Sequence, residues 1–226
     1  MFELKQIAVI HTDFPEKFGI PRQSGLIEEL RSTLVFMPEY RVPEALRGIE
    51  QYSHLWLIWE FSKAVRDGWS PTVRPPRLGG NTRMGVFATR SPFRPNPVGL
   101  SCVKLERVDL NASDGPVLHL SGADLMDGTP IFDIKPYLPY VDCKPDASNG
   151  FAFAQQEGVL SVEIPEGIVA EFPPEKLPAL KAVLAQDPRP QYISDPEREY
   201  TVSFAGFEIS FRVDDNRLSV SAVRKS

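Results

Sequence analysis

The sequence predicts a mainly β protein: a single-sheet, antiparallel, barrel-like domain over residues 1–145, followed by a small α+β domain over residues 146–226. Three observations carry this. Apolar and polar residues alternate with period two through most of the first 140 residues, as strands require. Gly-, Pro- and Asp-rich turns separate those runs without intervening helical patterns, which favours an antiparallel barrel over a parallel α/β sheet. The chain also holds 22 prolines in 226 residues, roughly twice the usual share. Proline removes a helix hydrogen bond and clashes with the preceding turn.

The elements follow in order. IAVIH, residues 7–11, is strand-like. Pro43–Gln51 reads as a helix, with Pro43 in its first turn. In SHLWLIWEF, His54, Trp56, Ile58 and Glu60 fall on one face and Leu55, Leu57, Trp59 and Phe61 on the other. In LSCVKLERV, Leu100, Cys102, Lys104 and Glu106 oppose Ser101, Val103, Leu105 and Arg107. VLHLSGADL and PIFDIKPY are further strands, and alternation puts Ile131, Asp133, Lys135 and Tyr137 on one face of the second. PDASNG, after Lys144, is linker-like. PPEKLPALKAVLAQDP then reads as a helix stopped by Pro188, and EYTVSF, FEISFRV and RLSVSAV as strands.

Composition narrows the function. At 42% hydrophobic and 24% charged, the chain can bury a core without staples, which excludes collagen-like, coiled-coil and disordered classes. The apolar Ile7–Ile10 run is too short for a signal-peptide core, and no window reaches membrane-span length. Two isolated cysteines and three dispersed histidines argue against a disulfide framework or a metal site. A protein of the reducing cytoplasm is expected. The formal charge of −5 hides a strong asymmetry: residues 63–107 hold 9 basic and 2 acidic groups, while the flanking regions are acidic.

Three segments offer chemistry. GVFATRSPFRPNPVGLS, residues 85–101, is a proline-stiffened loop in which Arg90 and Arg94 could fork onto carboxylate or phosphate oxygens. Composition alone favours the plainer reading, a proline-stiffened surface turn with solvated arginines. DLMDGTPIFDIKPYLPYVD, residues 124–142, sets the tight turn Asp127–Gly128–Thr129–Pro130 before a strand carrying Asp133, Lys135 and Tyr137. That row is either an acid–base constellation or an ordinary solvated strand face. FGIPRQSGL, residues 18–26, places Pro21, Arg22 and Gln23 in a turn. His54 is a fourth candidate, and a structural histidine is the plainer reading. Trp69, near Arg66, Arg74 and Arg77, is either a base-stacking ring or a core or dimer-contact residue. P-loop, dinucleotide-binding and nucleophile-elbow signatures are absent.

Together these blocks resemble the hallmark motifs of the TsaA-like (YaeB) tRNA methyltransferase family, in matching order and spacing. DPRPQY, residues 187–192, resembles the start of the strand region in that family's C-terminal domain. The resemblance implies a homodimeric, S-adenosyl-L-methionine-dependent enzyme that methylates N6 of threonylcarbamoyladenosine at position 37 of the tRNA anticodon loop. It implies cofactor contacts at Pro21, Arg22, Gln23, His54, Leu55, Arg90, Leu100 and Asp127, Gly128, Thr129 and Pro130. Asp133 or Tyr137, tuned by Lys135, is then expected to take the proton from N6, and Arg66, Arg74, Arg77, Arg83 and Arg94 to meet tRNA phosphates. Two other functions remain compatible with the residues alone: a non-catalytic RNA- or nucleotide-binding barrel, and a methyltransferase acting on a small metabolite. A partner-binding scaffold using the acidic C-terminal region is a third.

Overall fold

A computed structural model describes residues 3–65, 68–75, 78, 80–113, 115–151, 159–189 and 195–226. Six strands close a barrel: β1 (Ala8–His11), β2 (Arg31–Phe36), β3 (His54–Glu60), β6 (Val98–Asp109), β7 (Val117–Ser121) and β8 (Thr129–Pro136), in the order β1-β2-β7-β6-β3-β8. Every neighbouring pair is antiparallel. Closure gives the barrel strands a neighbour on both sides except at the start of β6, which limits edge-to-edge pairing. β4 (Thr72–Val73) and β5 (Met84–Gly85) form a short separate hairpin.

The inward positions of β3 behave as the alternation demands. Leu55 and Leu57 are fully buried and Trp59 nearly so, beside Leu34, Val103, Leu118, Leu120 and Ile131. Register shifts break simple alternation at Glu106 of β6, at Ser221 in the C-terminal sheet, and in β8. The β3–β8 register pairs Ile58 with Asp133 but Trp59 with Ile131, so Phe132 is an extra residue. This bulge turns Ile131 into the core, fully buried, instead of leaving it on the Asp133 face. The helix expected over Pro43–Gln51 is instead two 3₁₀ turns, Pro43–Leu46 and Ile49–Gln51, separated by Gly48 at φ +89°. That left-handed residue cannot continue a right-handed helix.

The C-terminal region holds β10 (Tyr200–Phe204), β11 (Phe207–Asp214), β12 (Arg217–Lys225) and β9 (Ser161–Glu163), with β9 parallel to β12. α2 (Leu177–Ala185) buries Ala179, Leu180, Val183 and Leu184 against this sheet, while α1 (Pro139–Asp142) is a single turn after β8. Residues of the β1–β2 connection also join this second core. Phe14 packs on Phe204 at 5.2 Å between ring centroids, with Ile27 and Leu30 nearby. Asp13 accepts from the Ala205 amide at 2.9 Å and from Lys176 at 2.6 Å. The loop carrying Pro21–Gln23 is thus held between the barrel and the C-terminal sheet.

Candidate functional site

The antiparallel order brings the end of β1 and the starts of β6 and β8 to the end of the barrel where β3 finishes. Two of the three singled-out loops are stitched together there. β7 pairs with β6 only from Lys104 onward, leaving the start of β6 without a neighbour on that side. Loop 21–25 fills the gap: Ser24 Oγ accepts the Cys102 amide at 3.0 Å, and the Gly25 amide donates to the Gly122 carbonyl at 2.8 Å. Gly25 sits at φ +77°, and Gly122, at φ +76°, has the Gly25 Cα so close that a side chain would crowd it. Pro21 is buried, Arg22 exposed and Gln23 partly buried. From this loop Gln23 Oε1 accepts a hydrogen bond from Arg90 Nη1.

The Arg90 loop is braced by its own polar groups. Thr89 Oγ1 donates to the Val86 carbonyl at 2.8 Å, and Ser91 and Phe93 amides donate to the Thr89 and Ser91 hydroxyls. Arg94 turns inward and donates to the Thr89 and Ser91 carbonyls at 3.1 and 3.3 Å. Its guanidinium is committed partly to the loop, whereas Arg90 is exposed. Arg83 donates to Thr72 Oγ1 at 3.1 Å across the β4–β5 hairpin, and Arg74 is exposed. Arg66 and Arg77 lie outside the described residues.

Beneath this mouth runs a polar chain in which Ser101, the last residue of the 85–101 block, and Asp124, the first of the 124–142 block, take roles that the sequence pattern does not assign them. Trp59 Nε1 donates to Ser101 Oγ at 3.0 Å, and Ser101 donates to Asp124 Oδ1 at 2.6 Å. Burial pushes the Asp124 carboxyl above its ordinary range, against the opposing pull of Ser101, nearby backbone amides and the Arg90 charge. Ser101 occupies an inward β6 position and is 1% exposed. A serine among core-facing apolar residues, with an aspartate in the apolar LSGADL run, was the available signal.

The Asp127–Pro130 turn closes the same end of the barrel. Asp127 Oδ1 accepts from the Thr12 amide and approaches His11 Nδ1, both at 3.1 Å. Its carboxylate therefore fixes the turn, which leaves the exposed Gly128 backbone, at φ +76° with open space on its Cβ side, as the accessible surface. Thr129 is buried and donates to the Met126 carbonyl at 2.7 Å, and Pro130 pairs with Val9.

The remaining candidates lie along the outer face of β3 and β8. Asp133 stands opposite Ile58 and makes a 2.9 Å ion pair with Lys135, which stands opposite Trp56. Tyr137 follows at the far end, its ring 5.6 Å from Trp56 and 6.2 Å from His54. Burial first, then Cys143, Cys102 and Asp142, pushes the Tyr137 phenol above its ordinary range. Asp142 is held below the usual range by the Leu138 amide and the Trp56 indole, the latter at 3.0 Å. His54 Nδ1 lies 2.9 Å from Ser53 Oγ. Leu55 is 0% exposed and paired on both sides, with Val103 and Pro136, so neither its side chain nor its backbone is open to a ligand in this structure. Leu100, opposite Ile58, is 55% exposed. His54 begins β3, six residues from the end beside the Asp127 turn, a separation of roughly 20 Å along a strand. The resemblance-derived contacts thus fall into two groups.

A crevice of about 490 Å³ on the β1–β2–β7 side is lined by His11, Arg107, His119 and Lys176. Its charges are already matched, with Arg31 on Glu106 and Lys176 on Asp13, each at 2.6 Å. Among the described residues, no group of three or more His, Cys, Asp or Glu is placed to hold a metal ion, and no helix is long and apolar enough to cross a membrane. The mouth can bind an anion through Arg90 and present backbone polar groups from the 127–128 turn, with apolar Leu100 alongside.

Comparison with known proteins agrees with this architecture. The tRNA-methyltransferase O N-terminal domain matches residues 9–143 and the TrmO C-terminal domain matches residues 170–226. A tRNA (adenine(37)-N6)-methyltransferase of Escherichia coli K12 is 42% identical, covering 98% of this chain and 97% of that protein. One from Eikenella corrodens is 46% identical, covering 76% and 97%. A crystal structure of TrmO from Pseudomonas aeruginosa superposes with a TM-score of 0.80 at 35% identity, covering 100% of this chain and 98% of that one.

Proposed function

The chain belongs to the TrmO family of tRNA methyltransferases, and from that membership we propose that it transfers a methyl group from S-adenosyl-L-methionine to N6 of threonylcarbamoyladenosine at tRNA position 37. The observation that carries the reading is the barrel mouth, where Gln23 from one family block holds Arg90 from another beside the mostly buried Asp124. The donor set suits the cofactor. Arg90 matches its amino-acid carboxylate, Leu100 offers an apolar contact, and the open Gly128 backbone admits close approach. Pro21, Arg22 and Thr129–Pro130 shape the loops around those groups.

When bound, S-adenosyl-L-methionine supplies an electrophilic methyl group on a sulfonium. The protein's task is to hold the acceptor nitrogen in line with it, which stiff proline loops do at little ordering cost. The adenine amine donates its lone pair to the ring, so attack needs an acceptor for the N–H. Asp133 is assigned that role, with Lys135 as its ion-pair partner. Tyr137, whose proton is held more tightly than usual, acts as a hydrogen-bond donor and not as the base.

The two groups of contacts are reconciled by a homodimer. A two-fold axis near Ile58, through the outer face of β6, β3 and β8, would bring the His54 end of one protomer to the Arg90 end of its partner. We assign residues 1–145 to cofactor binding and catalysis, residues 146–226 to a supporting domain, and the cytoplasm as the compartment. Arg66, Arg74, Arg77, Arg83 and Arg94 would meet tRNA phosphates, and an anticodon-loop base needs no extraction from a duplex. Calorimetric titration tests the cofactor site: Arg90→Ala should weaken S-adenosyl-L-methionine binding by at least tenfold while Arg74→Ala leaves it unchanged. Equal affinities of Arg90→Ala and wild type would contradict the assignment.

A further inference from the structure

We propose that Trp69 and Phe87 form a stacking platform for unpaired bases of the anticodon loop flanking the target adenine, an inference that rests on the tRNA reading above. Phe87 is 73% exposed and Trp69 52% exposed, and their rings lie 5.9 Å apart between centroids with planes inclined by 32°. Single exposed apolar side chains are common, but two large aromatic rings meeting in solvent are not.

Both rings are mounted on braced backbone. Phe87 lies in the 3₁₀ turn Val86–Ala88, anchored by Val86, which is 1% exposed. The Val86 amide donates to the Pro71 carbonyl at 2.9 Å, and the β4–β5 pairs Thr72–Gly85 and Val73–Met84 hold the two arms together. On the other arm, Ser70 Oγ donates to the Thr72 carbonyl at 2.8 Å, next to Trp69. The rings are fixed at their base, and their outer faces point to solvent.

Charge selects the occupant. From Gly68 to Ser101 the sequence contains no aspartate or glutamate and five arginines. A basic surround with exposed aromatics fits a single-stranded nucleic acid, whose phosphates meet the arginines while its bases cover the rings. Spacing selects the mode. A base inserted between two rings needs about 7 Å, twice the ~3.5 Å carbon contact distance. At 5.9 Å the pair is too close for insertion, so bases stack on its outer surface.

Fluorescence anisotropy with a labelled anticodon stem-loop RNA tests this on the full-length protein. Trp69→Ala and Phe87→Ala should each weaken RNA binding by roughly 5- to 150-fold, the range for loss of one base–ring stack. Phe87→Tyr should bind as wild type, while Phe87→Leu, apolar but without a π face, should lose as much as Phe87→Ala. Melting temperature, S-adenosyl-L-methionine affinity and sedimentation coefficient should be unchanged in all four. The platform is overturned if both alanine variants bind RNA within twofold of wild type, or if Phe87→Leu binds normally. It is equally overturned if the loss comes with weaker cofactor binding or with dissociation of the protomers, which would place the rings in the cofactor site or between copies. Failure of the wild type to bind RNA would instead refute the tRNA reading beneath it.

Discussion

Ser101→Ala tests the polar chain under the barrel mouth. The hydroxyl accepts from Trp59 Nε1 at 3.0 Å and donates to Asp124 Oδ1 at 2.6 Å, and Ser101 is 1% exposed. Alanine leaves both ends without that partner. A buried polar group deprived of its partner costs about 1–3 kcal/mol, with charged groups at the upper end, so the two ends together should cost about 3 kcal/mol. For a chain of this length that is a fall in Tm of roughly 6–12 °C. The pH dependence is diagnostic. Burial already raises the Asp124 carboxyl, and the serine hydroxyl opposes that rise. Removing the hydroxyl raises it further, so the penalty should be largest at neutral pH and shrink as acid protonates the carboxyl. Urea denaturation at pH 7 and pH 4 measures this, with the exposed Ser53→Ala as control. A loss below about 0.5 kcal/mol at pH 7, the usual scatter of surface substitutions, would refute the reasoning, as would a loss equal at both pH values.

Glu106 accepts from Ser121 at 2.7 Å and pairs with Arg31, and these contacts pull its carboxyl down to about 2. Because the folded state holds this proton less tightly than the unfolded chain, the contribution is present above pH 4.5 and lost as pH falls toward 2. Glu106→Gln should flatten acid denaturation over that window, and an unchanged acid limb would count against it. The proposed homodimer predicts that mixing inactive His54→Ala and Arg90→Ala chains restores about 25% of wild-type turnover, since half the dimers would be mixed and each would have one intact composite site. Turnover staying at the level of the separate variants would place both residues in one protomer's site. Gly99→Ala puts a Cβ into the Trp59 indole, so it should destabilise the barrel by about 1–3 kcal/mol in thermal denaturation, and a neutral effect would refute the tight contact.

Much of the fold was legible because it rests on local alternation. β3 buries the residues its pattern assigns to the core, Leu55 and Leu57, and β6 does so through Val103, with Lys104 and Leu100 outside; beyond that the extra residue Glu106 breaks the pattern and Arg107, expected on the Val103 face, is exposed. The β8 bulge was not legible, since one inserted residue at Phe132 shifts the pattern without changing composition, and only pairing with β3 reveals it. β2 is six residues long and opens on Arg31 and Ser32, so its pattern is weak. The Pro43–Gln51 segment has a helical start, but Gly48 breaks it. At the site, loop chemistry pointed to the Gln23, Arg90 and Asp127 segments, which share one end of the barrel. The Trp59–Ser101–Asp124 chain escaped because its members lie 42 and 23 residues apart and meet only through strand register. The His54–Leu55 contact came from resemblance, and its separation from the Asp127 turn emerges only from the direction of β3.

The proposed reaction transfers one methyl group to one nitrogen of one modified base. The direct measurement is nucleoside mass spectrometry after incubating the purified protein with S-adenosyl-L-methionine and tRNA bearing threonylcarbamoyladenosine at position 37. The expected product is threonylcarbamoyladenosine carrying one added methyl on N6, formed by wild type and abolished by Arg90→Ala. Unmethylated nucleoside after prolonged incubation with active cofactor, or a methyl group on any other atom, would contradict the account.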